Sequence, residues 1–433
     1  MAPVAMADAA ALNAWWLRFD DPTLTSLIEV SLHANTSIRS AEAVLHEAQA
    51  AREVASAALW PLLTGAISVQ RSRTGHQDAQ DNWQAGLEAS WAADLFGVNR
   101  SAVRASVAAL EASAATLGDA QVAVTAEVAL DYILLRSAQA RRAIAADSLA
   151  SQQDTLQIAA WREQAGLATG LDTEQARAAA EQTAALTPAL DASIGQARHA
   201  LALLTGQAPA ALDAMLATAA SIPVASDELA IGIPADTLRQ RPDVRAAERQ
   251  VVAALARVSQ AEAARWPGFS LGGTRGVSAA SVSALTGTAA VATSLLARAS
   301  LPLFDGGAAR AQLHVQQAAL LQSRAAYDAV VLGALRDVED ALLALRSDRQ
   351  RLASLGNATA AARNAAAMAR KQYSSGLVDF QTVLQTQRTE LSAQDGQSVA
   401  AANVSSDQVR LYQALGGGWQ GDKAATSLMS RRP

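Results

Sequence analysis

Two stretches of about 67 residues, Val98–Gln164 and Ala309–Ser375, run without a proline. Both are rich in alanine, with leucine, glutamine and arginine prominent, residues that lose little on entering a helix. As single helices each would extend roughly 100 Å. That exceeds the diameter of any one globular domain. Aromatic residues make up only 4% of the 433 positions, and much of the 51% apolar content is alanine. Small side chains suit close helix–helix approach better than a bulky mixed core.

The long stretches are two copies of one pattern. Trp60-Pro61 recurs as Trp266-Pro267, and at that same offset Ile38 meets Val244, Arg39 meets Arg245 and Glu42 meets Glu248. Further along the offset grows by four residues. Leu135-Arg136-Ser137 then meets Leu345-Arg346-Ser347, Gly166-Leu167 meets Gly376-Leu377, and Gly206 meets Gly416. Ordered matches over such a span indicate a duplicated half.

The first copy covers residues 1–205: a helix over Ile38–Leu59, two strands within 62–94, a long helix over 98–164, a tip turn at 165–171 and a return helix over 172–205. A proline- and alanine-rich linker, 206–234, joins it to the second copy at 235–417. There the helix covers Ala235–Arg265 with Asp236 as cap after Pro234, the strands lie within 268–303, the long helix covers 309–375, the tip 374–381 and the return helix 382–415. A tail, 418–433, follows. In each copy Trp-Pro stops the first helix, and Gly206 and Gly416 end the return helices as C-cap glycines.

Period two marks the strands. Trp83, Ala85, Leu87, Ala89 and Trp91 fall on one side of Trp83–Trp91, with Gln84, Gly86, Glu88 and Ser90 on the other. Ser294–Leu301 repeats the pattern, and Leu63–Val69 and Phe269–Gly273 are weaker versions. Ser72–Asn82 and Thr274–Ala290 read as the connecting loops. Alternation with small polar residues on one side is the signature of a membrane barrel strand. Trp83 and Trp91 are candidates for an interfacial aromatic belt. No run of uncharged apolar residues is long enough for a spanning helix, so any bilayer crossing must use a closed barrel. Four strands cannot close one. Three copies supply twelve, and cyclic symmetry provides the closure. The fold class read here is mainly α with a small β part: duplicated halves whose helical hairpins form a trimeric α-barrel above a 12-stranded transmembrane β-barrel.

Several functions are excluded by the residues. Net charge is −5, which gives no basic field for nucleic acid. There is no cysteine, hence no disulfide, thiol catalysis or cysteine-ligated metal. The five histidines lack metal-site spacing. No nucleophile, base and orienter come together in a pattern, so neither an enzyme nor a cofactor is expected. A coiled-coil scaffold and a periplasmic adaptor remain alternatives, although an adaptor usually has one hairpin where this chain has two.

Ile233-Pro234-Ala235-Asp236-Thr237-Leu238-Arg239-Gln240-Arg241-Pro242-Asp243-Val244-Arg245-Ala246-Ala247-Glu248 resembles the central signature of the TolC-type outer-membrane efflux factors, closest to the NodT-like subfamily serving RND (resistance–nodulation–division) pumps. Trp91–Gly97 and Leu301–Gly307 resemble the family's two strand-to-helix junctions, Trp16–Pro22 its opening and Tyr373–Arg388 its second periplasmic tip. The resemblance spans almost the whole chain. It implies a homotrimer in outer-membrane lipid, a helical tunnel in the periplasm, and a tip that opens when an inner-membrane pump and its periplasmic adaptor dock. Gly166, Leu167, Gly170, Ser375, Gly376 and Leu377 are then the expected adaptor contacts, with the three glycines as positive-φ turn residues. Asp172, Asp379, Thr382 and Gln385 are the expected aperture lining. Two positions depart from the family pattern. The lipid-modified cysteine common in the subfamily has no counterpart, and Gln385 stands in a stretch where an acidic residue is usual.

Overall fold

The fold was analysed on a computed structural model, which describes residues 12–73, 75–76, 78–225, 239–286 and 291–419. After a 3-10 turn at Trp15–Phe19 come α1 (Pro22–Ala34), α2 (Thr36–Ala57), β1 (Leu62–Ser72), β2 (Gln80–Ala93), α3 (Val98–Gln164), α4 (Gly170–Ala184) and α5 (Leu186–Leu204). The second copy gives α6 (Pro242–Ala263), β3 (Gly268–Ala279), a 3-10 turn (Val282–Thr286), β4 (Val291–Ser300), α7 (Ala308–Ser374) and α8 (Phe380–Ala414). Both α3 and α7 are unbroken over 67 residues.

Three readings are corrected. The return helix expected over 172–205 is two helices, interrupted at Ala185. Pro188 explains the break, because it has no N–H to donate to Ala184 and its ring crowds that carbonyl. The second helix begins at Pro242, not at Ala235. Proline suits the first helical position and keeps Arg241 out of helical geometry. Pro234, Ala235 and Asp236 lie outside the described residues. Finally, Thr274–Ala279 is strand, not loop: β3 continues through it, paired with β2.

The chain divides into two compact units. One comprises Met1–Glu42, Leu117–Pro242 and Val331–Pro433; the other comprises Ala43–Thr116 and Asp243–Val330. Neither coincides with a sequence repeat, since the boundaries fall inside α2, α3 and α7.

In the first unit, the opening residues Trp15, Trp16 and Phe19 are buried, and Trp15 stacks on Tyr412 at 5.2 Å. Asp21 caps α1 by accepting from the Thr23 and Leu24 amides, and its other oxygen takes the Tyr132 hydroxyl at 2.8 Å. Gly206 and Gly416 both have positive φ and end α5 and α8 with paired backbone hydrogen bonds of the Schellman type. The described end of the central signature acts as a clasp. Arg241, 8% exposed, donates to the Ala414 carbonyl at 2.7 Å and pairs with Asp337 at 3.6 Å.

The second unit holds an antiparallel meander in the order β1-β2-β3-β4. Its two outer strands are exposed along their whole length. Trp91 donates its indole N–H to Leu59 O at 3.0 Å, tying the sheet to the end of α2. On α6, Arg249 pairs with Glu111 of α3 at 3.1 Å.

Candidate functional site

Two features of the protein carry candidate chemistry: the paired tips and the two-faced sheet.

The tips are built alike. Gly166 and Gly376 take φ of 71° and 73°, and a Cβ at either would meet nothing within 4 Å, so glycine serves the turn itself. The next amides, on Leu167 and Leu377, reach back to Arg162 O and Gln372 O. Gly170 differs from the expectation. Its φ is not positive; it opens α4, and a Cβ there would sit 3.1 Å from the Glu163 carboxylate. The carboxylate is the end of a flexible side chain, so neither backbone conformation nor a rigid contact requires glycine here.

Leu167 and Leu377 are 69% and 75% exposed, and Ser375 is exposed beside them. The helices that follow carry N-caps with roles exchanged. At the first tip Thr169 caps and Asp172 closes the capping box; at the second Asp379 caps and Thr382 stands three residues on. The Thr382 amide and hydroxyl hold the Asp379 carboxyl below the usual carboxylate range. Asp379, Thr382 and Gln385 are exposed, and Asp172 partly so.

The two tips touch each other within the chain. Arg162 lies 4.5 Å over the Tyr373 ring and donates to the Tyr373 carbonyl at 2.9 Å. Gln381 bonds Gln175 at 2.5 Å. Above them Ala159, Ala176, Ala369, Phe380, Val383 and Leu384 form a buried cluster. A polar seam follows, in which Gln387 bonds Thr155 at 2.9 Å and Arg370 bonds Ser151 at 2.7 Å. Three buried atoms in this region, Gln152 Oε1, Arg162 Nε and Gln387 Oε1, have no partner. Residue patterns alone missed the seam, because its members come from α3, α7 and α8.

The sheet register sorts most side chains by polarity, with Leu62 and Leu296 as apolar exceptions on the polar face. Leu63, Ile67, Val69, Trp83, Leu87, Trp91, Phe269, Leu271, Val277 and Leu295 share one face. The other carries Thr64, Ser68, Gln84, Glu88, Ser90, Ser270, Thr274, Ser278, Ser294 and Arg298. Trp83 and Trp91 lie on the apolar face eight residues apart. Near the helix end Phe96 stacks on Trp266 at 5.5 Å. Arg275 and the Arg71–Asp81 pair are the charges on the apolar side among the described residues. No helix of the described residues is long and apolar enough to cross a membrane. Among them, no cluster of potential metal ligands occurs.

Known proteins share this arrangement. The model of the outer membrane efflux protein family matches residues 27–207 and 233–417, one segment per half. The toluene efflux pump outer membrane protein TtgF of Pseudomonas putida is 30% identical over 418 residues, covering 95% of this chain and 86% of the relative. Outer membrane protein OprJ of Pseudomonas aeruginosa is 31% identical over 414 residues, covering 92% and 85%. Among solved structures, the outer-membrane channel OprN superposes with a TM-score of 0.89 at 36% identity, over 94% of this chain and 93% of that one. VceC of Vibrio cholerae gives 0.87 at 26% identity, over 94% and 99%. The matches run through both halves, the sheet and both tips, and the chain belongs to the outer membrane efflux protein family.

Proposed function

We propose that this chain is the outer-membrane exit duct of a tripartite efflux system, a passive homotrimeric channel and not an enzyme. The observation that carries the reading is the two-faced sheet with two uncovered outer strands. A sheet apolar on one side and polar on the other matches lipid outside and water inside. Its free edges need partners, and a bilayer offers none. The outer strand of a second copy does. Three copies make a twelve-stranded barrel wide enough for a lumen. Trp83 and Trp91 lie about 26 Å apart along their strand, or roughly 20 Å in height at a barrel strand's tilt of about 40°, which is most of a barrel's apolar band and supports their place in an interfacial aromatic belt.

The tips are the end that receives cargo from an inner-membrane RND-type pump through a periplasmic adaptor. Gly166, Leu167, Gly170, Ser375, Gly376 and Leu377 form the adaptor contact, with the two exposed leucines as its apolar anchors. Asp172, Asp379, Thr382 and Gln385 line the aperture.

The test is reconstitution. The protein purified in detergent should have the mass of a trimer and conduct as single channels in a planar bilayer. A monodisperse monomer that needs no detergent and passes no current overturns the reading. Asp379→Asn and Asp379→Ala divide the aperture charge from the cap. Asparagine keeps the cap and removes the charge, so a change in cation preference shared by both variants assigns it to the lining role. A change seen only with alanine assigns it to the cap.

A further inference from the structure

The polar face of the sheet is not uniformly neutral. Its register forms rows across the strands. One row reads Thr64, Glu88, Thr274, Ser294: three hydroxyls and one carboxylate. Thr274 and Ser294 bond each other at 2.6 Å, and the Thr64 hydroxyl donates to the Glu88 carbonyl at 3.3 Å. Among the described residues the Glu88 side chain has no hydrogen-bond or ion-pair partner. The neighbouring row toward the loops, Ala66, Gly86, Gly276 and Ala292, carries no side chain beyond a methyl group. There the backbones approach so closely that a Cβ on Gly276 would lie 2.9 Å from Ala85 O. Nothing on that side of the Glu88 row shields its carboxylate.

A second row, nearer the helix end, pairs Ser270 with Arg298. The Arg298 guanidinium is exposed and, among the described residues, also unpaired. Four residues of β4 separate Arg298 from Ser294, about 13 Å along the strand. That distance is beyond a salt bridge and exceeds the Debye length of about 10 Å at 0.1 M salt. The two charges therefore act as separate fields. They are the only ionisable groups on the polar face among the described residues.

We propose that Glu88 and Arg298 form two stacked charge belts of opposite sign in the barrel lumen, Glu88 toward the outer mouth and Arg298 toward the helices. The proposal rests on the channel reading above, because threefold symmetry turns each residue into a ring. A twelve-stranded barrel has a backbone radius of roughly 12 Å. Side chains projecting inward bring each ring within about one Debye length of the axis. The outer belt concentrates cations and the inner belt anions. Two opposite fixed charges in series sort ions by direction as well as sign, so the lumen favours cargo whose positive end leaves first.

The chain's lack of cysteine allows the fields to be read directly. Ser294→Cys and Ser270→Cys place one thiol in each belt. In the reconstituted protein at about 0.1 M salt, a trimethylammonium methanethiosulfonate should label Ser294→Cys about threefold or more faster than its sulfonate counterpart. At Ser270→Cys the order should reverse. Adding Glu88→Gln to the first and Arg298→Gln to the second should erase each bias, as should roughly 1 M salt. Equal rates at both sites, or a bias untouched by neutralising Glu88 or Arg298, overturn the proposal. Thiols that stay unlabelled in a protein that still conducts show that these rows do not line the lumen, which sinks the belts and leaves the channel. Absence of any conductance sinks the channel reading itself.

Discussion

At the scale of single residues, the two tips show one problem solved twice with the parts exchanged. Thr169 caps with Asp172 as its reciprocal partner, and Asp379 caps with Thr382 at the same spacing. A hydroxyl and a carboxylate both accept from orphan amides at a helix start, so the duplicated halves were free to diverge in which residue carries the charge. Asp131 is a different case. It is partly buried on α3, and burial, then Glu127 one turn before it, push its carboxyl up to about 6. A carboxyl raised above its unfolded value favours the protonated folded state, so that stability is complete below about pH 4 and lost as pH rises through about 6. Asp131→Asn is therefore expected to stabilise the fold above pH 6 by roughly 1–2 kcal/mol after allowing for partial exposure, seen as a higher melting temperature there, and to change little near pH 4. Thermal unfolding in detergent across that pH range measures it. An increase that is the same at both ends counts against the titration.

At the scale of elements, four helix ends close on glycines with the same geometry, yet they are not equivalent. Gly376 has open space around it, while a Cβ at Gly206 would stand 2.6 Å from the Ala34 carbonyl. Gly376→Ala should cost about 1 kcal/mol for its left-handed conformation alone. Gly206→Ala must also displace backbone of α1, so its loss should be clearly larger, and comparative unfolding of the two variants decides it. Equal losses would mean that the contact with α1 yields freely. The helices and their stops were legible because proline, glycine and small-residue runs act locally. The break at Ala185 was legible in principle, since Pro188 stands three residues after it. The continuation of β3 through Thr274–Ala279 was not, because glycine, serine and threonine suit a loop equally well until a neighbouring strand supplies the hydrogen bonds.

At the scale of the whole molecule, the main fact is the unsatisfied sheet. Outer strands exposed along their length invite another chain. With no cysteine of its own, the chain can be given one thiol in β1, at Ser68, and one in β4, stepped through residues 291–300. Oxidation should then join different copies, giving covalent dimers and trimers on a denaturing gel at one register. A chain that crosslinks only to itself, or not at all at any step, would refute closure by neighbouring copies.

The amino-acid sequence by itself determined the duplication, the two long helices, the tip turns and the alternating strands, because each is written in spacings of a few residues that bias the backbone directly. It also carried the family resemblance through the run around Arg241-Pro242. Only the tertiary structure decided which residues from distant segments share a row, a seam or a clasp. Glu88 and Arg298 fell into two separate rows when the register aligned them with Thr274, Ser294 and Ser270; Arg241 met Ala414, and Arg162 met Tyr373, through contacts made far apart in the chain. Such meetings depend on how elements pack, and packing is a property of surfaces brought together, which no local spacing encodes.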